Sequence, residues 1–210
     1  MTGSDDVKIN EIFTSIQGEG PLTGMKCLFV RTYGCNRDCS FCDTKKHNNV
    51  FVELPVDAIV KAIDNAGLRR VVITGGEPTI QLNELKALVH TLTANDYHVS
   101  LETNGDIQSY DTTDFDCVVV SPKDLATLKK WVKYTPEFDN TYLKVVVHEH
   151  NIDDVMKLAA EYDLQDIYFM PLGTTPLEII VRSALILNKM NEYNIEGFLS
   201  TRMHILYGVR

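Results

Sequence analysis

Cys35, Cys39 and Cys42 stand at C-x3-C-x2-C spacing in the stretch Cys35-Asn36-Arg37-Asp38-Cys39-Ser40-Phe41-Cys42, and they are three of the chain's five cysteines. A loop so spaced can aim three thiolates at one centre, and thiolates suit soft metal sites such as an iron–sulfur cluster. A closed structural zinc site takes four ligands, and a standard cluster takes four thiolates. No fourth cysteine stands at comparable spacing, and His47 is the nearest other ligand type. One coordination position is therefore expected to stay open for something that is not protein, which points to chemistry more than to scaffolding. Two plainer readings stand beside this one: a zinc knuckle of Cys35, Cys39, Cys42 and His47, or three ordinary buried cysteines.

Three further segments carry groups that could work on a ligand. Gly75-Gly76-Glu77-Pro78 lies about forty residues downstream. Its glycines let backbone approach a ligand closely, and Glu77 adds a carboxylate. It is not a phosphate loop, because the spacing and the lysine are missing. Glu102-Thr103-Asn104-Gly105 and Ser121-Pro122-Lys123 place polar groups directly after apolar runs. All of these could also be plain turns with solvated side chains. Upstream, Glu11-Ile12-Phe13-Thr14-Ser15-Ile16-Gln17-Gly18-Glu19-Gly20 is rich in hydrogen-bonding groups. Gln17 is donor and acceptor, and Glu19 can accept two parallel N–H groups. Such a pair suits the amide edge and amino group of a pterin or guanine-like ring. Arg31 could clamp a carboxylate with two parallel bonds. The plainer readings are a polar hairpin turn for Gln17 and Glu19 and a structural salt bridge for Arg31.

The elements that must hold these groups alternate. Apolar runs at Val7 to Thr14, Cys27 to Tyr33, Val71 to Thr74, Tyr97 to Glu102, Phe115 to Val120, Tyr142 to Val147 and Ile167 to Met170 read as strands. Helical spacing appears over Pro55 to Asn65, Leu82 to Leu92, Asp153 to Tyr162 and Pro176 to Met190. Gly197 to Ile205 reads as a last strand or mixed end, and Lys123 to Asn140 as a short helix or an active-site loop. The alternation implies β/α units and a mostly parallel sheet. Sites in such sheets lie at the carboxyl ends of the strands. The cysteine loop, GGEP, ETNG, SPK and Met170-Pro171-Leu172-Gly173 all fall there, as one site at the mouth of a barrel would require.

The totals bound the rest. A length of 210 residues predicts one domain over 1–210, with 1–6 as a flexible tail. The fractions, 44% hydrophobic and 23% charged, are those of a globular protein. No apolar run approaches the roughly 18–20 residues of a membrane span, and no signal-peptide core follows the start, so a cytoplasmic protein without a membrane partner is expected. An odd, clustered set of cysteines argues against a disulfide framework. The net charge of −9, with no basic stripe, argues against a nucleic-acid partner.

The C-x3-C-x2-C spacing, with Phe41 just before the last cysteine, resembles the signature of the radical S-adenosylmethionine (SAM) superfamily. Taken with EIFTSIQGEG, Arg31, Asp43-Thr44, GGEP, ETNG and SPK, the chain from about Val7 onward resembles the 7-carboxy-7-deazaguanine synthase family. The resemblance implies an α/β fold, an abridged partial (β/α) barrel of the radical SAM type. It implies a lyase that contracts the ring of 6-carboxy-5,6,7,8-tetrahydropterin to 7-carboxy-7-deazaguanine and releases ammonia, in queuosine and 7-deazapurine biosynthesis. The cofactors implied are a 4Fe–4S cluster, SAM and Mg2+. The implied partners are an external flavodoxin-like or ferredoxin-like electron donor and a second copy of the chain.

Carried over by position, the resemblance implies that Cys35, Cys39 and Cys42 hold the cluster and Thr44 the magnesium. Phe41, Asp43, Gly76, Glu102, Ser121, Lys123, Met170, Pro171, Leu172 and Gly173 would line the SAM site. Ile16, Gln17, Gly18, Glu19, Arg31, Thr74, His204 and Arg210 would contact the pterin. Met170 stands where the family often has glutamine, and His204 could be a structural histidine on an apolar terminal strand. Cys27 and Cys117 are expected to be small buried hydrophobes. The rival enzyme reading is an activase that makes a glycyl radical on a partner protein. Such activases share the cysteine spacing but lack the IQGEG segment and the arginine at position 31.

Overall fold

The computed structural model describes residues 6–42, 50–107, 111–134 and 139–209. Residues 1–5 of the expected tail, Asp43, Thr44, His47 and Arg210 lie outside the described residues. The chain forms two compact units, one of Met1–Ser15 with Lys26–Val118, the other of Ile16–Met25 with Val119–Arg210. No helix among the described residues is long and apolar enough to cross a membrane.

The first unit is built on β1 (Val7–Ile16), β2 (Lys26–Thr32), β3 (Val52–Leu54), β4 (Arg70–Gly75) and β5 (His98–Thr103), with strand order β3-β1-β2-β4-β5. β2, β4 and β5 run parallel, with Arg31 opposite Thr74 and Ile73 opposite Leu101. Their carboxyl ends therefore share one edge, and the cysteine, GGEP and ETNG segments leave from it. Val71, Val72 and Ile73 are all buried, the continuous apolar run of a parallel strand covered on both faces. β3 pairs antiparallel to β1, Val7 facing Leu54. α1 (Val56–Ala66) follows Pro55, which is its N-cap, and stops at Gly67, whose φ of 65° is the left-handed helix terminator. Ile59 and Ile63 bury its inner face, each contributing about 1.5–3 kcal/mol. α2 (Leu82–Ala94) buries Leu85, Leu88, Val89 and Leu92 along one stripe.

The second unit takes the end of β6 (Cys117–Val120), whose four residues are all buried. α3 (Leu125–Tyr134) follows; it occupies much of the stretch that reads only as helix or loop in the sequence. β7 (Thr141–Val147), β8 (Ile167–Pro171) and β9 (Phe198–Leu199) run parallel in that order. α4 (Ile152–Glu161) connects β7 to β8, and α5 (Pro176–Tyr193) connects β8 to β9. Thr175 and Glu178 start α5 with reciprocal side-chain-to-backbone bonds, a capping box. The last segment is β9 followed by the single-turn helix α6 (Met203–Leu206), so His204 sits on a helix and not on a terminal strand. Both cysteines outside the cluster of three, Cys27 and Cys117, are buried and form no disulfide.

Candidate functional site

In the first unit the cysteine loop lies against the GGEP segment. Glu77 donates its backbone N–H to the Gly34 carbonyl at 2.8 Å, and Gly76 donates to the Thr32 carbonyl at 3.3 Å. A Cβ placed on Gly76 would lie 1.9 Å from the Gly34 oxygen and 3.0 Å from the Cys35 Cβ, so only glycine permits this approach. The Glu77 carboxylate is fully buried. It accepts from Thr79 N at 3.1 Å, Thr79 Oγ1 at 2.7 Å, Thr103 Oγ1 at 2.7 Å and Asn104 N at 2.6 Å. These bonds satisfy the carboxylate and join the GGEP loop to the end of β5. Cys35 and Cys42 are exposed, Cys39 is half-buried, and all three thiols are free. Burial pushes the Cys35 thiol up, and the charges of Glu77, Cys42 and Cys39 add to this against a backbone hydrogen bond from Arg37. Among the described residues no three His, Cys, Asp or Glu side chains converge closely enough to hold a metal ion as they stand. Arg31 and Thr74 are register partners on β2 and β4. Arg31 pairs with Glu11 at 2.8 Å and lies over the Phe13 ring. Phe41, on the cysteine loop, and Glu102, near the carboxyl end of β5, are half-buried.

In the second unit the Gln17–Gly20 segment is a tight turn. Gln17 N–H donates to Met25 O at 2.7 Å, and Gly24 N–H donates to Gln17 O at 2.8 Å. Gln17 Oε1 also accepts from Glu19 N–H at 3.3 Å. Glu19 is gripped from two sides: Lys144 Nζ lies 2.7 Å from Oε2, and Arg202 Nε lies 3.0 Å from Oε1. The side chains of Lys144 and Arg202 are only 5% and 8% exposed. Burial alone would raise the Glu19 pKa, but Lys144 and Arg202, aided by His204, outweigh it and hold the carboxyl well below the usual range. Arg202 also donates to Gly173 O at 2.6 Å, and Ser200 Oγ accepts from Gly20 N–H at 2.9 Å. His204 rests on Gly18, where an added Cβ would meet Nδ1 at 2.0 Å and the His204 backbone nitrogen at 2.9 Å. Gly18→Ala is expected to cost about 1–3 kcal/mol by overpacking. Thermal unfolding reads it, and an unchanged midpoint would mean that α6 yields freely. Elsewhere in this unit Lys123 Nζ donates to Ser121 Oγ at 2.9 Å. Met170 and Gly173 are buried at the end of β8.

Each unit thus gathers part of the predicted set. The first brings together Cys35, Gly76 and the β5 end; the second brings together Gln17, Gly18, Glu19, Gly173 and His204. Sequence reasoning misses Lys144, Ser200 and Arg202. Lys144 had one signal, a lone cation inside the apolar run Thr141-Tyr142-Leu143-Lys144-Val145-Val146-Val147. Arg202 had none; its backbone adopts the left-handed region at φ 46°.

A family model described as the Radical SAM superfamily matches residues 29–179, a range that runs through both units. Over 192 residues the chain is 34% identical to the 7-carboxy-7-deazaguanine synthase of Hyperthermus butylicus, covering 82% of this chain and 80% of that protein. It is 30% identical over 204 residues to the 7-carboxy-7-deazaguanine synthase of Haemophilus influenzae, covering 96% and 93%. The crystal structure of QueE from Escherichia coli superposes with a TM-score of 0.69 at 24% identity, over 93% of this chain and 94% of that one, and shows the shared fold. The chain belongs to the radical SAM superfamily and, within it, to the 7-carboxy-7-deazaguanine synthase family. The donor set fits the cluster that the superfamily implies: three thiols, none in a disulfide, at C-x3-C-x2-C spacing.

Proposed function

We propose that this chain is a radical SAM lyase that converts 6-carboxy-5,6,7,8-tetrahydropterin to 7-carboxy-7-deazaguanine with release of ammonia, in queuosine and 7-deazapurine biosynthesis. The observation that carries the reading is similarity, over nearly the whole chain, to relatives named for that synthase. The half-buried Glu19 supports it. A carboxylate fixed in its ionised form by Lys144 and Arg202 keeps lone pairs for the N–H groups of a pterin ring. When bound, the cluster and SAM supply hydrogen-atom abstraction at the substrate. Cys35, Cys39 and Cys42 would hold the cluster.

The Gly76 backbone, Phe41, Asp43, Glu102, Ser121, Lys123 and the Met170–Gly173 segment would seat SAM. Ile16, Gln17, Gly18, Thr74, His204 and Arg210 would frame the pterin, and Arg31 would meet its carboxylate. Thr44 would hold Mg2+, since a hydroxyl with substrate oxygens suits a hard cation. A homodimer in the cytoplasm, served by a flavodoxin-like or ferredoxin-like donor, completes the proposal.

The test is anaerobic turnover of cluster-reconstituted protein with dithionite, SAM, Mg2+ and 6-carboxytetrahydropterin, read by mass spectrometry. The expected result is 7-carboxy-7-deazaguanine, and its disappearance when Cys35, Cys39 and Cys42 are all replaced by alanine. Formation of 5′-deoxyadenosine without that product would overturn the substrate and leave the superfamily chemistry standing.

A further inference from the structure

Between Cys35 and Cys39 lie Asn36, Arg37 and Asp38, and the first two are gripped by one carboxylate. Arg37 Nε and NH2 donate to the two oxygens of Asp106, each at 2.5 Å, and Asn36 Nδ2 donates to Asp106 Oδ2 at 3.0 Å. Asn104 Nδ2 in turn donates to Asn36 Oδ1 at 2.7 Å. Asp106 is itself fixed, because its N–H donates to Asn104 Oδ1 at 2.9 Å and the Asn104 N–H donates to the buried Glu77. The grip therefore runs from a buried anion through the turn after β5 to the spacer of the thiolate loop. Its far end touches sulfur: the Arg37 backbone N–H donates to Cys35 Sγ at 3.4 Å.

We propose that Asp106 is a positioning residue for the thiolate loop, holding Asn36 and Arg37 so that the Arg37 N–H stays on the Cys35 sulfur. The proposal rests on the reading of that loop as the cluster site. An N–H directed at a ligating thiolate stabilises the electron-rich, reduced cluster and so raises its potential. A two-bond guanidinium–carboxylate pair is the strong, orienting form of this contact. Asp106→Asn keeps the shape and removes the charge. In the anaerobically reconstituted protein it is expected to lose iron to a chelator about tenfold faster, the scale of one lost charge-assisted hydrogen bond. Its midpoint potential is expected to move to more negative values, while the thermal midpoint of the cluster-free protein stays put. Arg37→Gln should do the same, and the double variant should be no worse than either single one.

Iron release and potential equal to those of the unaltered protein would overturn the proposal. An unaltered protein that takes up no iron and stays colourless would instead overturn the cluster reading on which it rests, and the proposal with it. Additive effects in the double variant would also overturn it, because the two groups would then act separately.

Discussion

Glu19→Ala is expected to lower the stability of the protein by about 3–5 kcal/mol, the usual cost of leaving a buried charge without its partner. The variant takes this carboxylate away from two cations, because Lys144 and Arg202 both close on it and both are shielded from water. For a chain of this size each kcal/mol moves the melting temperature by about 2–4 °C, so a fall on the order of 10 °C should appear in a thermal scan. Glu19→Ala with Lys144→Met should recover part of the loss, since one of the two buried cations goes. Under the proposed function, in which Glu19 accepts two N–H groups of the substrate, turnover should also fall by about a hundredfold or more.

The pH dependence of Glu19 has a definite sign. Its folded pKa is depressed, so its contribution is complete above the unfolded value of about 4.3 and fades as pH falls toward the folded value. The stability gap between the unaltered protein and Glu19→Gln should therefore be full at neutral pH and narrow in acid. A gap that does not change with pH, or a Glu19→Ala protein within about 1 kcal/mol of the original, would show that the two cations find other partners.

Gly76→Ala is expected to lower turnover by about a hundredfold while leaving most of the fold. Its methyl would sit 1.9 Å from the Gly34 oxygen and 2.6 Å from the Gly34 carbonyl carbon, both backbone atoms that cannot rotate aside. The GGEP loop and the cysteine loop must then part by about an ångström or more to restore normal contact distances. That breaks the Glu77 N–H bond to Gly34 O and shifts Cys35 against the Gly76 backbone that is proposed to seat SAM. Misplacement by about 1 Å at a reacting centre costs on the order of a hundredfold in rate, and overpacking costs about 1–3 kcal/mol in stability. Single-turnover formation of 5′-deoxyadenosine and a thermal scan separate the two effects. Near-normal cleavage of SAM would mean that the loops tolerate separation.

What could be read from the sequence was whatever is local. Strands such as β4 and β6 are covered on both faces and so appear as unbroken apolar runs, and their bounds came within a residue or two. β3 did not show, because three residues at an antiparallel edge carry no periodicity. α3 showed only as one of two readings, helix or loop: its inward residues Thr127, Leu128, Trp131 and Val132 sit among three lysines, and a threonine at a buried place blurs the stripe. The terminal stretch was divided between a two-residue strand and a single helical turn, too short for pattern to specify. The cysteine spacing is a local fact and needed no fold. The partners of Glu19 stand 125 and 183 residues away, and nothing periodic links them. Asp106 was invisible for the same reason, since its reach to Asn36 and Arg37 exists only once β2 and β5 lie in one sheet.

The long span between Glu19 and Arg202 also has a consequence in time. Gly18, Glu19 and Gly20 take their partners from Met203, Arg202 and Ser200. During translation those partners arrive about 180 residues later, on the order of ten seconds at ordinary elongation rates. Throughout that interval the Gln17–Gly20 turn has its local bonds to Gly24 and Met25 but not those to Ser200, Arg202 and Met203. The turn is thus completed only once the chain has been made through Met203.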